Sequence, residues 1–223
     1  LTVLYNDIFN KKNKKNFILS KGHACLALYS ILYEKNILSK KDFLTFGKDN
    51  SLLMNHASHY VSGVNFSTGS LGHGLPVATG LALSLKLKKD KNKVFVLISD
   101  GELNEGTTWE SLMFAAHHSL NNLVIIIDYN RLQSLTTVKK TLNLEPLKKK
   151  FDLFNCKTFN INGHNFLQLK KTLNFKSKTK PMVIIANTIK GKGVSFMENK
   201  IAWHYKSPNL NELRLGLREI DNA

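Results

Sequence analysis

An α/β domain built on a parallel β-sheet, with helices covering both faces, is what the sequence predicts, and three observations predict it. Runs such as Val94–Ile98, Leu123–Ile127 and Met182–Asn187 are almost continuously apolar, as strands buried on both faces are. Helix-like patterns stand between them, so strand and helix alternate along the chain. No internal repeat and no linker rich in Pro, Gly or Ser divides the 223 residues, of which 43% are hydrophobic, enough for one sizeable core.

The elements follow in order. "ACLALYSILYEK" (24–35) is apolar nearly all round and reads as a buried helix. "GLPVATGLALSLKLKK" (74–89) is similar, with Pro76 tolerated in a first turn. Val94–Ile98 is the first strand. Over 105–120, Trp109, Leu112, Met113, Ala116 and Leu120 fall on one helical stripe. Leu123–Ile127 and Thr158–Ile161 are the next strands, "NFLQLKKTL" (165–173) is a short helix, and Met182–Asn187 is the last strand. The whole chain, 1–223, reads as one domain, with polar residues 209–223 expected to be a C-terminal tail that docks on something else.

Composition narrows the class. No run of 18 or more apolar residues exists, which argues against a membrane span. The opening "LTVLYNDIFNKKNKKN" lacks the basic-then-apolar order of a secretory signal, and it has no initiator Met. Cys25 and Cys156 stand in no paired spacing, which suits a reducing cytoplasm and gives no disulfide or metal framework. The net charge is +16, but its lysines are scattered through "KKNKK", "KLKKDKNK", "PLKKK" and "KSKTK". A nucleic-acid binder should instead carry a basic stripe with interleaved aromatics. The scatter reads first as solvated faces; attraction of anionic small molecules and nucleic-acid binding remain alternatives resting on charge alone.

The stretch "VFVLISDGELNEGTTWE" (94–110) carries the chemistry. Its apolar strand stops at Ser99-Asp100-Gly101, and in an open parallel sheet ligands sit beyond the carboxyl ends of the strands. The next strand ends in "DYNRL", which puts Asp128 and Asn130 at the same edge. Thirty residues separate Asp100 from Asn130, about one strand–helix–strand crossover. A carboxylate oxygen of Asp100, an amide oxygen of Asn130 and the Leu132 carbonyl can then converge as hard donors suited to Mg²⁺ or Ca²⁺, with phosphate oxygens completing the shell. Taken alone, Asp-Gly is more often a turn followed by a helix cap.

"SDGELNEGTTWE" followed by "DYNRLQS" resembles the thiamine-diphosphate signature of the transketolase family, in which Gly-Asp-Gly opens and Asn closes a metal–diphosphate site. "ILSKGHACLALYSIL", "NHASHYVSGVNFSTGSLGHGLP" and "GKGVSFMENKIAWHYKSP" resemble further blocks of that family in the same chain order, covering roughly residues 17 to 208. The resemblance implies thiamine diphosphate as cofactor, with Asp100, Asn130 and the Leu132 carbonyl as metal ligands and the Gly101 amide on the diphosphate. It implies that His23 and His204 contact the diphosphate or the nearby reaction centre, that Gly69 and Leu71 line the aminopyrimidine, and that His56 faces the sugar's hydroxyls. Glu105 would join a carboxylate network running to the partner active site; on its own it is also a plausible first-turn acid of the 105–120 helix. His56 and His59 also read as a zinc pair, without further ligands at useful spacing. Lys190 and Lys192 in "KGKG" read equally as phosphate-steering and as solvated.

The chain departs from the family in places. Ser99 replaces the first Gly of Gly-Asp-Gly, and His73 stands where many relatives carry Gln. The Gly-His block that normally precedes "LTVLY" is absent, so a substrate-contacting histidine is missing from the chain as given. The pyrimidine-binding domain of full-length relatives has no room in 223 residues. The resemblance therefore implies the N-terminal subunit of a split transketolase, joined by a separate C-terminal subunit in a two-plus-two heterotetramer. Such an enzyme moves a two-carbon ketol unit between sugar phosphates of the pentose phosphate pathway, with no nucleic acid and no membrane involved. Alternatives are a subunit of a deoxyxylulose-phosphate synthase or a 2-oxoacid dehydrogenase, or a non-catalytic basic binding protein.

Overall fold

The apolar runs become strands and the periodic stretches become the helices that cover them. The computed structural model describes residues 1–9 and 16–222; the basic run "KKNKK" at 11–15 lies outside the described residues. A helical turn at Leu4–Ile8 leads to strand β1 (Phe17–Leu19), a 3-10 turn (Gly22–Ala24), helix α1 (Cys25–Glu34), the short α2 (Lys40–Phe43), a long loop and α3 (Gly74–Leu87). Then come β2 (Val94–Ser99), a 3-10 turn (Gly101–Asn104), α4 (Gly106–His117) and β3 (Leu123–Tyr129). The short helices α5 (Val138–Thr141) and α6 (Leu147–Leu153) precede β4 (Lys157–Asn162), α7 (Phe166–Asn174) and β5 (Met182–Asn187). A 3-10 turn (Ile201–His204) and α8 (Leu210–Asp221) close the chain.

The strands form one sheet in the order β1-β2-β3-β5-β4, and every pairing is parallel. Because side chains alternate faces along a strand, the sheet feeds two cores. Val94, Val96 and Ile98 of β2 with Ile125 and Ile127 of β3 pack under Leu75 and Ala78 of α3, Leu112 and Ala115 of α4 and Phe151 of α6. Phe95, Val124, Ile126 and Ile184 point the other way, against Leu28, Tyr29 and Leu32 of α1 and Leu173 of α7. Each such side chain contributes about 1.5–3 kcal/mol by leaving water, so the sheet's central strands are its most costly part to disturb. No helix among the described residues is long and apolar enough to cross a membrane.

The structure departs from the sequence expectations at several elements. Three-residue β1 was not expected. β4 is an edge strand with alternating burial rather than a buried run, because β5 covers only one of its sides. Helix α1 buries one face only; Leu26 and Ala27 are exposed. In α4 the inner face is Thr108, Ser111, Leu112 and Ala115, while Met113, placed on the expected stripe, is 55% exposed. Leu120 is fully buried but lies beyond the helix end. The expected polar tail is in large part helix α8, started by an Asn209–Glu212 capping box. It packs Gly216 beside Val194 and Phe196, while Glu219 accepts from the Ser195 backbone N–H and hydroxyl.

Candidate functional site

Strand register decides what meets at the carboxyl edge. Ser99 of β2 is level with Asp128 of β3, so the loops that follow, Asp100-Gly101 and Asn130-Arg131-Leu132, emerge side by side. Asp100 is only 2% exposed, and its Oδ2 accepts the Arg131 backbone N–H at 2.7 Å. Asn130 Oδ1 accepts the Leu132 N–H at 2.9 Å, which leaves its second lone pair for another partner. Leu132 bridges Thr137, fixing the return of the loop. Arg131 holds this turn in the left-handed region at φ 64°, a conformation that costs a non-glycine residue about 1 kcal/mol. Its guanidinium donates to Asn187 Oδ1 at 2.6 Å and lies over the Tyr129 ring, tying the turn to β5.

Burial pushes the Asp100 carboxyl up to about 6, opposed by the Arg131 N–H and the Lys21 charge and reinforced by Asp128. Beside it, Lys21 Nζ meets Asp128 Oδ2 at 2.7 Å, and Thr188 Oγ1 donates to Asp128 Oδ1 at 2.5 Å. One carboxylate thus links the tips of β1, β3 and β5. Burial alone would raise Asp128, but the Lys21 charge and hydrogen bond, helped by Thr188, hold it below the usual carboxylate range.

Cations and imidazoles complete this side. His23 and His204 rings stand 5.5 Å apart, and Lys190 Nζ lies 3.5 Å from His204 Nδ1. Desolvation, then Lys21 and the neighbouring histidines His204 and His56, hold His23 down at about 4. Desolvation, then Lys190 and Lys21, lower His204 as well. Lys190 points into this cluster, whereas Lys192 pairs with Glu198 at 3.1 Å away from it.

The remaining expected residues sit around this centre. His56 and Gly69 adjoin: a Cβ on Gly69 would lie 3.5 Å from His56 Cδ2. The Leu71 carbonyl pairs with the exposed His73 ring at 3.1 Å. Glu105 is not inside the first turn of α4; it occupies the N-cap position with extended backbone and caps nothing through its side chain. The buried glutamate of this segment is Glu102. It accepts from the Ser20 hydroxyl, from the Gly72 N–H at 3.1 Å and from the Ser99 N–H at 2.8 Å, binding three loops together. His59 bonds Ser67 at 2.7 Å. Among the described residues no three His, Cys, Asp or Glu side chains converge as a metal group, so no zinc set forms around His56 and His59.

Does a metal-bound diphosphate fit these residues? Asp100 is a buried carboxylate that strains against ionisation, as a cation ligand does before its ion arrives. A Cβ on Gly101 would meet nothing nearer than 3.8 Å, so the protein itself does not demand glycine there; a ligand lying close to the backbone would. Lys21 is paired with Asp128, and Lys190 stands beside His204, so cationic side chains flank the oxygen donors. The donor set is hard oxygen beside cationic groups, and it fits.

These features define a class: an open α/β domain with its polar groups gathered at the tips of neighbouring strands, where such folds take their ligands. The chain belongs to the family described as transketolase, thiamine diphosphate binding domain, which matches residues 4–215. It is 39% identical over 99% of its length to an apulose-4-phosphate transketolase subunit of Actinobacillus succinogenes, covering 83% of that protein. It is 36% identical to the protein of the same name from Phocaeicola vulgatus, covering 99% of this chain and 82% of the relative. The fold superimposes on the crystal structure of Campylobacter jejuni transketolase with a TM-score of 0.81 at 27% identity, over 94% of this chain. The chain spans only 38% of that transketolase. Thiamine diphosphate is accordingly its cofactor, and the parallel sheet with helices on both faces is the family's cofactor-binding fold.

Lys21, Glu102 and Thr188 were missed from sequence. Their partners lie 107, 82 and 60 residues away in the chain, and no local spacing announces such pairs.

Proposed function

We propose that this chain is the N-terminal, cofactor-holding subunit of a two-chain transketolase, which transfers a two-carbon ketol unit between sugar phosphates. The observation that carries the reading is the grip of Asp100 on the loop of Asn130, beside a cluster of Lys190, His23 and His204. Asp100, Asn130 and the Leu132 carbonyl would hold Mg²⁺, with Ca²⁺ also meeting an all-oxygen donor set. The Gly101 N–H, His23 and His204 would hold the diphosphate and the atoms near it. Gly69 and Leu71 would line the aminopyrimidine.

When bound, thiamine diphosphate supplies the electron sink that lets a carbon–carbon bond beside a carbonyl break and re-form. The chain's own groups then orient and relay. His23, kept neutral by its surroundings, offers a ring-nitrogen lone pair that can accept a hydroxyl hydrogen bond at neutral pH. Lys190, its ammonium pKa lowered by desolvation and then by Lys21, stands next to His204, where a hydrogen-bond donor would meet an anionic sugar phosphate. His56, open at the rim beside Gly69, would meet the sugar's hydroxyls. Glu105, exposed ahead of α4, is free to reach a carboxylate network across an interface.

Both relatives are named as one subunit of their transketolase, which supports a separate partner here. That partner would carry the pyrimidine-binding domain, in a cytoplasmic heterotetramer of two copies of each chain serving the pentose phosphate pathway. The test is to mix the two chains and assay xylulose 5-phosphate with ribose 5-phosphate, against pyruvate as donor. Ketol transfer should require both chains. Robust turnover by this chain alone, or preference for pyruvate, would refute the reading.

A further inference from the structure

Resting on the cofactor reading above, we propose that Gln133 is a further cofactor-binding residue, its side-chain amide donating to a diphosphate oxygen. The loop that carries it is the one that holds Asp100. Arg131 N–H binds Asp100, Val138 N–H returns to the Arg131 carbonyl at 3.0 Å, Leu132 bridges Thr137, and Gln133 N–H donates to the Thr136 carbonyl at 2.8 Å. The backbone of Gln133 is therefore fixed. Its side chain lies along Gly101, with Cγ and Cδ each 3.9 Å from where a Cβ on Gly101 would stand.

Yet Nε2 of Gln133 is buried and meets no acceptor among the described residues. An unpaired buried donor destabilises a fold, and where one persists a ligand that completes it is a physical explanation. Diphosphate oxygens only accept hydrogen bonds, so a spare donor beside Gly101 matches them. Asn104 Oδ1, at the end of the turn that follows Asp100, is also buried and without a partner among the described residues, but that oxygen is an acceptor and does not complement a diphosphate oxygen. Polarity therefore selects Gln133.

The test compares the full chain with Gln133→Met, which keeps the shape without the donor, and Gln133→Glu, which replaces the donor by an acceptor. Thiamine diphosphate and inorganic diphosphate are titrated calorimetrically at saturating magnesium, and melting temperatures are taken without ligand. Gln133→Met should weaken both ligands about tenfold or more, and Gln133→Glu more still. The ligand-free melting temperature of Gln133→Met should hold or rise, because an orphaned donor is gone. Affinities within twofold of the parent chain would overturn the proposal, as would a melting temperature that falls in step with affinity, the mark of a purely structural residue. Failure of the parent chain to bind either ligand, both alone and mixed with its partner chain, would overturn the proposed placement of the diphosphate beside Asp100 and Asn130, and this inference with it.

Discussion

The Asp100 carboxyl, raised to about 6, and the His23 imidazole, held at about 4, are both pushed toward their neutral forms, by desolvation before any other cause. The consequence for His23 can be worked through. Its ordinary value is 6.5 and its folded value about 4, so between those limits the unfolded chain binds the extra proton. The stability this group contributes is retained above pH 6.5 and falls as pH drops through that window. A diphosphate placed among Lys21, Lys190 and His204 would offset the charges that lower His23. Following the imidazole by NMR should give titration near pH 4 in the ligand-free chain, moving upward when magnesium and inorganic diphosphate are added. Titration near 6.5 in both states would contradict this electrostatic picture. Asp100 and Asn130 were legible at this scale because each sits just past an apolar run, where a strand must end. Glu105 was legible as a motif residue but not in its setting: the sequence suggested a helical first turn, and the chain enters α4 one residue later.

The elements act through their tips. Lys21 follows β1, Asp128 ends β3 and Thr188 follows β5, and their node sets the height of three loops at once. Lys21→Met leaves Asp128 without its cation. The loss should be on the order of 2 kcal/mol in urea unfolding, below the figure for fully buried pairs because the Asp128 side chain is 29% exposed. Adding Asp128→Asn to Lys21→Met should recover part of that loss; strictly additive losses would show that the two groups are not coupled. The apolar runs of β2, β3 and β5 were readable because strands covered on both faces leave no polar alternation. β1 was not, since three residues are too few to form a pattern, and it exists because β2 offers a partner edge. Helix α8 had its signals in plain view: Leu210, Leu213, Leu217 and Ile220 recur at helical spacing after a capping box. Charged residues between them masked the stripe as a polar tail. In α4, spacing alone could not choose between two adjacent stripes, and the sheet selected the one containing Leu112 and Ala115.

At the scale of the whole molecule, the candidate site stands on the carboxyl edge of a sheet held between two cores. The two cores fix the sheet, the sheet fixes the register of β2 and β3, and that register brings the Asp100 and Asn130 loops together. On the proposed reading the groups that would grip the diphosphate all lie in this chain, and the account predicts that a partner is needed for catalysis rather than for this grip. The most direct measurement is the affinity of the unpartnered chain for thiamine diphosphate with magnesium and with chelator, in the parent and in Asp100→Ala. Removing a hard anionic ligand, which water replaces poorly, should abolish the magnesium-dependent part of binding while the chain stays folded. Equal affinity in the two proteins, or binding indifferent to magnesium, would contradict the account.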